Sequence, residues 1–551
     1  MSGKKDAVMS AEKSEPFPHP RTIFAGSLPK CFVYIFASFI LQWAYGLGAN
    51  VVQSNIIQLT GDFHATMTET MWLVAVYMAP NVSVAIMLIK IRYHFGLRAF
   101  AELSILGFLL VCVLQLFVTD LRSALIVRFF AGIAAAPLAS LALLYMMEAF
   151  APAKKFTVGL SLNYMNANLA APLSHLISPN LLENGGFFAL SAVEMGLVLI
   201  SLGCIFSLPL TPVARNKVIM KLDWVSYGLI ALGLGLNAVI MSVGSLYWWY
   251  EAPWIGWGFV LVILSLVTAI IIELNREKPL IDFRWLFSKE MLQPVLVLLV
   301  FRVLLLENST LAPAFFNLFG LLNSEMAPMY LAVVLGTLVG GSICVFFLRS
   351  GREDYFYLVS LSCLALGSYL DSYVSQLTRP QDMMLSQGLI GFAYTLFLSP
   401  ALFKGFMMSS ERGPRYVLSF ITIFLLTQMT GGLMSSAFFG SLQLFFAHMH
   451  FERLTQNIVV TDPLISGGGI GALFSPFFSA SVSHAFGETG HGLSELIEKL
   501  KLTANIFAYN DVYRLYFYIS TVVFVIFLTK MCLKSCSLIT FKQQSNVNKE
   551  E

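Results

Sequence analysis

The chain has 551 residues, of which 57% are apolar and only 12% are charged, and its formal net charge at pH 7 is +3. Soluble domains carry about 25% charged residues, and the mean hydropathy of +0.75 indicates lipid as the solvent. This composition excludes a soluble enzyme, a disordered scaffold and a secreted disulfide module, and the small net charge offers no basic surface for nucleic acid. We therefore interpret the chain as a polytopic membrane protein.

Apolar runs of about 20 residues are long enough to cross a bilayer as helices. Fourteen such runs follow one another along the chain, and they predict an all-α polytopic membrane fold. The runs lie at 31–53, 68–89, 97–118, 123–147, 156–178, 187–209, 225–247, 254–272, 291–317, 327–348, 355–375, 383–403, 416–446 and 512–533.

The distribution of basic residues tests this count. Cytoplasmic loops of membrane proteins are enriched in Lys and Arg. If the N-terminus is cytoplasmic, the segments on the inside hold most of the 34 Lys and Arg residues. Adding or removing one span would move every later loop to the other side and remove this asymmetry. We therefore predict an even number of spans with both termini in the cytoplasm.

The fourteen runs divide into two sets of six with one pair between them. The loops after the second and tenth runs occupy the same place in each set, and both are tight turns that combine glycine with arginine, at 95–98 and 349–352. Parallel repeats of this kind are common in transporters, whose substrate site lies between the halves. The alternative is ordinary turn chemistry in two cytoplasmic loops. The predicted divisions are an N-terminal tail (1–30), a six-helix bundle (31–209), a linker with two extra helices (210–290), a second six-helix bundle (291–535) with an outside loop (447–511), and a C-terminal tail (536–551).

The predicted outside loop at 447–511 is the only sizeable segment outside the membrane, and it could cap the outer face or dock a partner. His448, His450 and Glu452 alternate there as metal ligands can on a strand. A four-coordinate site needs more ligands, so we predict no metal site. The chain has no Walker A sequence either, so we predict no nucleotide or other cofactor and expect an ion gradient or the substrate's own gradient to supply energy.

Ionisable residues inside a bilayer are costly, and they mark either functional sites or contacts between helices. Arg128 and Glu194 lie in the fourth and sixth predicted spans, both roughly 8–12 Å from the outer face at about 1.5 Å per residue, so they could pair. Arg302 and Glu307 lie near the middle of the ninth span. They are about 140° apart around the helix, so at least one of them should face a central cavity. All four are candidates for gating or proton coupling, although a structural lock is the alternative for the first pair.

Uncharged polar residues in two spans provide a second set of candidates. Asn50 and Gln53 lie in the first predicted span, and Asn163 and Asn166 lie in the fifth. Such residues can line a substrate cavity, and they can equally hold helices together through hydrogen bonds.

Several short motifs resemble those of one transporter family. The fourth span contains Arg-Phe-Phe-Ala-Gly at 128–132, the loop at 95–98 reads Phe-Gly-Leu-Arg, and Ala-Tyr-Asn-Asp-Val at 508–512 precedes the last span. In these features, and in the order of its parts over about residues 30–535, the chain resembles the major facilitator superfamily, specifically its 14-spanning drug:proton antiporter branch (EmrB/QacA type). The resemblance implies that Arg128 and Gly132 are the family's R-x-x-x-G pair, associated with proton coupling. It also implies that Gly96 and Arg98 are the end of its loop motif G-x-x-x-D-R-x-G-R.

Three positions depart from the family pattern. Tyr93 and His94 stand where the loop motif has Asp and Arg, which removes the usual gating ion pair. The antiporter motif G-P-x-x-G-G appears at 171–176 as Ala-Pro-Leu-Ser-His-Leu, which retains Pro172 and places His175 at a glycine position. The acid of the family's first span has become Gly48. If protons are used, Glu194 or Glu307 would have to supply the acid.

The resemblance implies two six-helix bundles, alternating access and export from the cytoplasm, with protons as the coupling ion. It also implies a bacterial cytoplasmic (inner) membrane location and, as possible partners, a membrane-fusion protein and an outer-membrane channel. Our first hypothesis is a secondary active exporter of an amphipathic small organic molecule, either a drug or an endogenous metabolite such as a siderophore. One alternative is an importer or facilitator, because the antiporter motif is mostly missing. The other is a membrane-embedded enzyme or scaffold, for which a cluster of His, Asp or Ser at one depth would be expected and is not seen.

Overall fold

A computed structural model describes residues 23–152, 154–211, 219–277, 279–305, 307–456 and 491–550. Regular structure in these residues is helical, with one isolated bridge between Phe24 and Phe150. A π-helical turn at Lys155–Gly159 precedes the sixth α-helix. The α-helices are α1 (Leu28–Ser54), α2 (Ile56–Asp62), α3 (Met67–Phe95), α4 (Leu97–Gln115), α5 (Leu121–Glu148), α6 (Leu160–Ser207), α7 (Lys221–Val243), α8 (Pro253–Leu274), α9 (Phe283–Leu286), α10 (Lys289–Leu304), α11 (Glu307–Asn317), α12 (Ala327–Phe347), α13 (Glu353–Asp371), α14 (Met384–Ser410), α15 (Pro414–Gln456) and α16 (His491–Glu550).

Local sequence signals set several helix ends. Helix α3 begins with a capping box in which the Thr66 side chain accepts from the Glu69 N–H and the Glu69 carboxylate accepts from the Thr66 N–H. Such a box satisfies two of the N–H groups that lack partners at a helix start. Helix α3 ends at Gly96, whose φ of 88° favours glycine, and α4 starts immediately after it. The chain therefore turns there without an intervening loop.

Each predicted span overlaps at least one helix, although several spans run past a helix end, and the helices do not follow the predictions one to one. Helix α6 covers the fifth and sixth predicted spans, and its helical conformation is interrupted at Gly185 and Gly186, the latter with a φ of 56°. The ninth predicted span is divided between α10 and α11. Among the described residues, eleven helical stretches are long and apolar enough to cross a membrane. The predicted count of fourteen therefore stays a prediction, and the runs at 156–178, 291–317 and 355–375 fall short of that criterion.

The helices pack as two bundles. In the first, α1 packs against α5 and α6, α3 packs against α5, and α4 contacts both α5 and α6. In the second, α14 contacts α12 and α13, and α16 contacts α13 and α15, with α10 against α15. The bundles meet along two seams, one between α6 and α12 and the other between α3 and α15. The exact domain boundaries given above stay predictions.

Helices α7 and α8 lie between the two bundles in the sequence and pack at the α3–α15 seam. Helix α7 contacts both α3 and α15, and Ile230 and Leu234 share an apolar cluster with Val82 and Ile86 of α3 and with Ile423 of α15. Helix α7 of the inserted pair therefore packs against both bundles.

Polar contacts hold the inserted pair at its two ends. At one end, the buried carboxylate of Asp223 accepts a hydrogen bond from Lys90 Nζ of α3 at 2.8 Å and forms an ion pair with Arg276, which also pairs with Glu273 at 2.6 Å. At the other end, Trp249 Nε1 donates to the Ser441 hydroxyl of α15 at 2.8 Å.

Glycines allow backbones to approach within both bundles. A Cβ at Gly132 of α5 would lie 2.2 Å from the backbone oxygen of Tyr77 in α3, and a Cβ at Gly336 of α12 would lie 2.1 Å from the oxygen of Gly388 in α14. Small residues at helix contacts are typical of membrane bundles, where close van der Waals packing replaces the hydrophobic effect as the force between helices.

Candidate functional site

A cavity of about 630 Å³ lies between the two bundles. Helices α1, α3, α5 and α6 line it from the first bundle, helices α10, α11, α12, α14 and α15 line it from the second, and Met241 and Ser242 of the inserted helix α7 complete the wall. Its volume is within the range of about 300–1,000 Å³ that is usual for small-molecule sites. A cavity shared between two bundles is the place where the repeat architecture predicts a substrate site.

Three of the four predicted cavity residues line this space. Asn50, Gln53 and Asn163 face it, and the Asn163 side-chain oxygen is buried without a hydrogen-bond partner. The Asn50 amide donates to the Gly46 oxygen of its own helix at 2.7 Å. Asn166 does not line the cavity: it is fully buried on the opposite face of α6, and neither its side-chain nitrogen nor its oxygen has a partner. Contact between the other three and a substrate stays a prediction.

Arg302 of α10 projects into the cavity. Its Nε donates to the Gln428 backbone oxygen at 3.0 Å, and its guanidinium carbon lies 5.1 Å from the centre of the Tyr394 ring. Its Nη1 is buried and has no hydrogen-bond partner, and neither has the side-chain amide of Gln428. The expectation that at least one of Arg302 and Glu307 faces a central cavity is met by Arg302. Glu307 begins α11, and its side chain lies outside the described part of the chain.

Arg128 and Glu194 meet at a second, smaller cavity inside the first bundle. Arg128 Nη1 donates to the Gly48 oxygen at 2.8 Å, and the guanidinium lies 4.2 Å from the centre of the Tyr77 ring. A Cβ at Gly48 would lie 2.3 Å from Glu194 Oε1, so the carboxylate of α6 occupies the space beside Gly48.

The two side chains do not form a direct ion pair in this structure. Both line a space of about 20 Å³, together with Gly48 and Gln115. Such a volume is close to that of one water molecule. Arg128 Nε and Nη2 and Glu194 Oε1 are buried without hydrogen-bond partners. Arg128 and Glu194 therefore share one cavity. The direct pairing that their similar depth in the membrane allowed is not formed.

The motif residues take separate positions. Gly96 forms the α3–α4 turn, and the largely exposed Arg98 pairs through Nε with Glu102 of its own helix at 2.8 Å. Gly132 allows α5 to approach α3, and Pro172 lies within α6 on the cavity wall. The ion partner of Arg98 is therefore local to α4.

His175 takes part in a polar cluster that joins the two bundles. His175 Nδ1 lies 2.9 Å from Asn323 Oδ1, and Asn323 Nδ2 donates to Asn55 Oδ1 at 2.9 Å and to the Ser54 oxygen at 2.8 Å. Because Asn323 Oδ1 can only accept, His175 Nδ1 carries the proton of this bond. The His175 ring also stacks on Tyr330 of α12, with 4.2 Å between ring centres. This cluster lies at the end of α1 that is predicted to face outward.

Sequence reasoning missed Asn55, Asn323 and Tyr330. Asn323 precedes α12 in a short connection, where a polar residue carries no signal of its own. A different contact joins the bundles at the side predicted to be cytoplasmic, where Phe156 stacks on Phe406 of α14 with 4.0 Å between ring centres.

Two described histidines at the start of the predicted outside loop have partners in the structure. His450 Nε2 lies 2.7 Å from an Asp511 oxygen of α16, and His448 pairs with Glu452 at 3.2 Å. Among the described residues, no three His, Cys, Asp or Glu side chains converge as metal ligands would. Residues 457–490 of this loop lie outside the described residues, so most of the predicted loop is not part of the structure described above.

Comparison with known proteins gives a fold and no close relative. No protein-family profile matches the chain, and no curated protein matches it. A mutant of the peptide transporter POT in complex with alafosfalin is similar over 87% of this chain and 93% of that chain, at 12% identity and a TM-score of 0.50. At this level of identity the similarity shows the fold alone.

Two further solved structures are similar at slightly lower scores. The proton:xylose symporter XylE, of the major facilitator superfamily, covers 89% of this chain and 95% of its own at 12% identity, with a TM-score of 0.49. The human organic anion transporter MFSD10 covers 90% and 100% at 13% identity, with a TM-score of 0.49. The predicted all-α fold is confirmed, and it is similar to the fold of these transporters. The drug:proton antiporter branch stays a prediction.

Proposed function

We propose that the chain is a secondary active transporter that moves an amphipathic small organic molecule across a membrane by alternating access. One observation carries this proposal. A cavity of about 630 Å³, large enough for such a molecule, is walled by both bundles and contains buried polar atoms without partners. A site shared by two rigid bundles is exposed to one side or the other when the bundles rock against each other.

The contacts between the bundles support alternating access. His175 and Asn323 join them at the end predicted to face outward, and Phe156 and Phe406 join them at the opposite end. Neither contact is a covalent link or a buried ion pair, so each can break at moderate cost. Opening on one side requires the loss of one contact while the other persists.

The cavity shared by Arg128 and Glu194 supports proton coupling. A carboxyl group that carries protons needs an environment that allows both the charged and the neutral form. Glu194 has an arginine nearby to favour the charged form, and burial to favour the neutral one. It lies against Gly48, the position at which the related family has its acid. We therefore propose Glu194 as the proton-carrying acid. We propose export by proton antiport as the direction on the basis of the family resemblance.

The remaining functional expectations follow from the resemblance and from the distribution of basic residues. The resemblance implies a bacterial inner-membrane location and possible contacts with a membrane-fusion protein and an outer-membrane channel, and the basic residues predict both termini in the cytoplasm. Arg302 and Glu307 stay candidates for gating or proton coupling.

Untargeted mass spectrometry of small molecules in cells and medium, with and without the protein, tests the proposed function. We expect at least one compound to be depleted from the medium and retained in cells when the protein is absent. Accumulation in cells only when the protein is present would replace export with import. Transport would be contradicted if the protein changed neither the distribution of small molecules between cells and medium nor the sensitivity of the cells to toxic compounds.

Variants at the two mid-membrane charges extend this test. We expect R302Q or E307Q to abolish the redistribution while the folded protein remains in the membrane, as judged by its elution in size-exclusion chromatography. Unchanged redistribution in both variants would remove these residues from the mechanism.

A further inference from the structure

Arg302 is a charged group in the cavity, and the side chains that the structure describes give it no counter-ion. The described residues that line the cavity include two arginines, Arg92 and Arg302, and no aspartate or glutamate. Arg302 uses Nε to bond a backbone oxygen, whereas Nη1 is buried and unpartnered. A guanidinium withdrawn from water is costly unless an anion or several acceptors satisfy it. The cavity therefore presents a positive charge that no described side chain balances.

The groups around Arg302 can bind an anion, and they do not themselves neutralise the guanidinium. The Gln428 side chain lines the cavity with both its nitrogen and its oxygen unpartnered, so it can donate to a ligand oxygen. Tyr45 and Tyr164 are close enough to Arg302 for electrostatic interaction, and both line the cavity. These neighbours are neutral, so none of them replaces the missing counter-ion.

The wall beside this charge is aromatic. Tyr394 lies under the guanidinium with its ring centre 5.1 Å from the guanidinium carbon, and Tyr164 meets Phe424 edge to face with 5.4 Å between ring centres. All three rings face the cavity. Aromatic side chains form favourable stacked or edge-to-face contacts with planar apolar groups. The site thus combines one fixed cation with a flat apolar surface.

We propose that the substrate is an organic anion, with a carboxylate or a comparable acidic group that binds Arg302 through Nη1 and a planar apolar body that packs among Tyr164, Tyr394 and Phe424. A carboxylate forms strong charge-assisted hydrogen bonds to a guanidinium. The proposal rests on the function proposed above and narrows it to one class of substrate. It also explains why the cavity retains an arginine whose charge no described side chain balances.

Three probes that differ only in their charged group test this proposal. 2-Naphthoate, 2-naphthylmethanol and protonated 2-naphthylmethylamine share one aromatic body and are negative, neutral and positive. Each is titrated against the full-length protein in detergent, and binding is followed by the shift in thermal unfolding temperature. The variants are R302Q and, as the matched control, R379Q, which makes the same change at an exposed arginine. Partition of a probe into micelles is the same for every variant, so differences between variants report the site.

We expect 2-naphthoate to stabilise the wild-type protein and R379Q, with an affinity at least about tenfold higher than that of the other two probes, because a hydrogen bond to a charged group is worth about 1.5–3 kcal/mol. The preference should disappear in R302Q, whose folding is checked by its unfolding without a probe. Equal or stronger stabilisation by the amine, no preference for the carboxylate at millimolar concentrations, or a preference that persists in R302Q would overturn the proposal. The assay measures binding without transport. Arg302-dependent binding with no redistribution in cells would therefore contradict the transport function and leave the anion site in place.

Discussion

Asp223 gives the sharpest stability prediction, because it joins the inserted helices to the first bundle. Its carboxylate is fully buried, and it contacts Lys90 Nζ at 2.8 Å, the Arg276 guanidinium and the backbone N–H of Met220 at 2.9 Å. The side chains of Lys90 and Arg276 are only 13% and 7% exposed. In D223N, the two poorly solvated cations would therefore have only one carboxylate nearby, that of Glu273, which pairs with Arg276.

We expect D223N to lower the free energy of unfolding by about 3–5 kcal/mol, which is the range for removing one partner from a buried ion pair. The matched control is E102Q, the same change in an exposed pair within one helix, where Arg98 is 81% exposed. Such pairs contribute about 0–1 kcal/mol. Equilibrium unfolding in mixed detergent micelles, followed by tryptophan fluorescence, measures both values. Equal small losses in the two variants would refute the reasoning that the Asp223 cluster anchors α7 and α8.

Three further predictions concern the proton site, the helix contacts and the outward-facing contact. E194Q should fold normally, since one carboxylate oxygen of Glu194 has no hydrogen-bond partner to lose. In this variant, the uptake into vesicles of the compound found by mass spectrometry should no longer depend on the pH gradient. Uptake that still depends on the gradient would exclude Glu194 as the proton-carrying acid. Gly132→Leu should lower the free energy of unfolding by about 3 kcal/mol, the upper end of the range for overpacking, because a Cβ there would lie 2.2 Å from a backbone oxygen. The control Gly107→Leu has nothing within 4 Å of the added Cβ and should unfold at nearly the wild-type denaturant concentration. Similar losses of stability in the two variants would contradict the close contact at Gly132. Asn323→Ala should speed alkylation of a cysteine placed at Thr337 by an impermeant maleimide added from outside, and an unchanged rate would show that this residue does not close the cavity.

The membrane fold could be predicted from the sequence because transfer into lipid depends on composition alone. Among the described residues every apolar run overlaps a helix, and hydropathy needs no knowledge of neighbouring segments. The interruption of α6 at Gly185 and Gly186 and the division between α10 and α11 were not predicted, since both depend on backbone conformation within runs of uniform hydropathy. The packing of α7 at the α3–α15 seam also depends on contacts that no local pattern contains.

The site was predictable where one helix is sufficient to define it. Arg128, Glu194 and Arg302 stood out because charges are rare in spans, and each lies in a cavity. Asn166 could not be separated from Asn163 in the sequence, because the two lie three residues and about 60° apart around one helix. Only the structure shows that the cavity-lining residues of α6 lie on the other side of Asn163, at 160, 164, 167, 168, 171, 172 and 175. The cluster around His175 could not be predicted, because it unites residues from α6, the end of α1 and the connection before α12.

Distance measurements between the bundles test the central claim of alternating access most directly. Spin labels are placed at exposed residues in a background without the native cysteines, one pair at the end predicted to face outward (Phe188 and Leu377) and one at the opposite end (Phe95 and Phe347). Double electron–electron resonance of the protein in lipid nanodiscs, at acidic and alkaline pH, then gives both distance distributions. The account predicts two populations in each pair, with weights that change in opposite directions. A single unchanged distance in both pairs, or changes in the same direction, would contradict it.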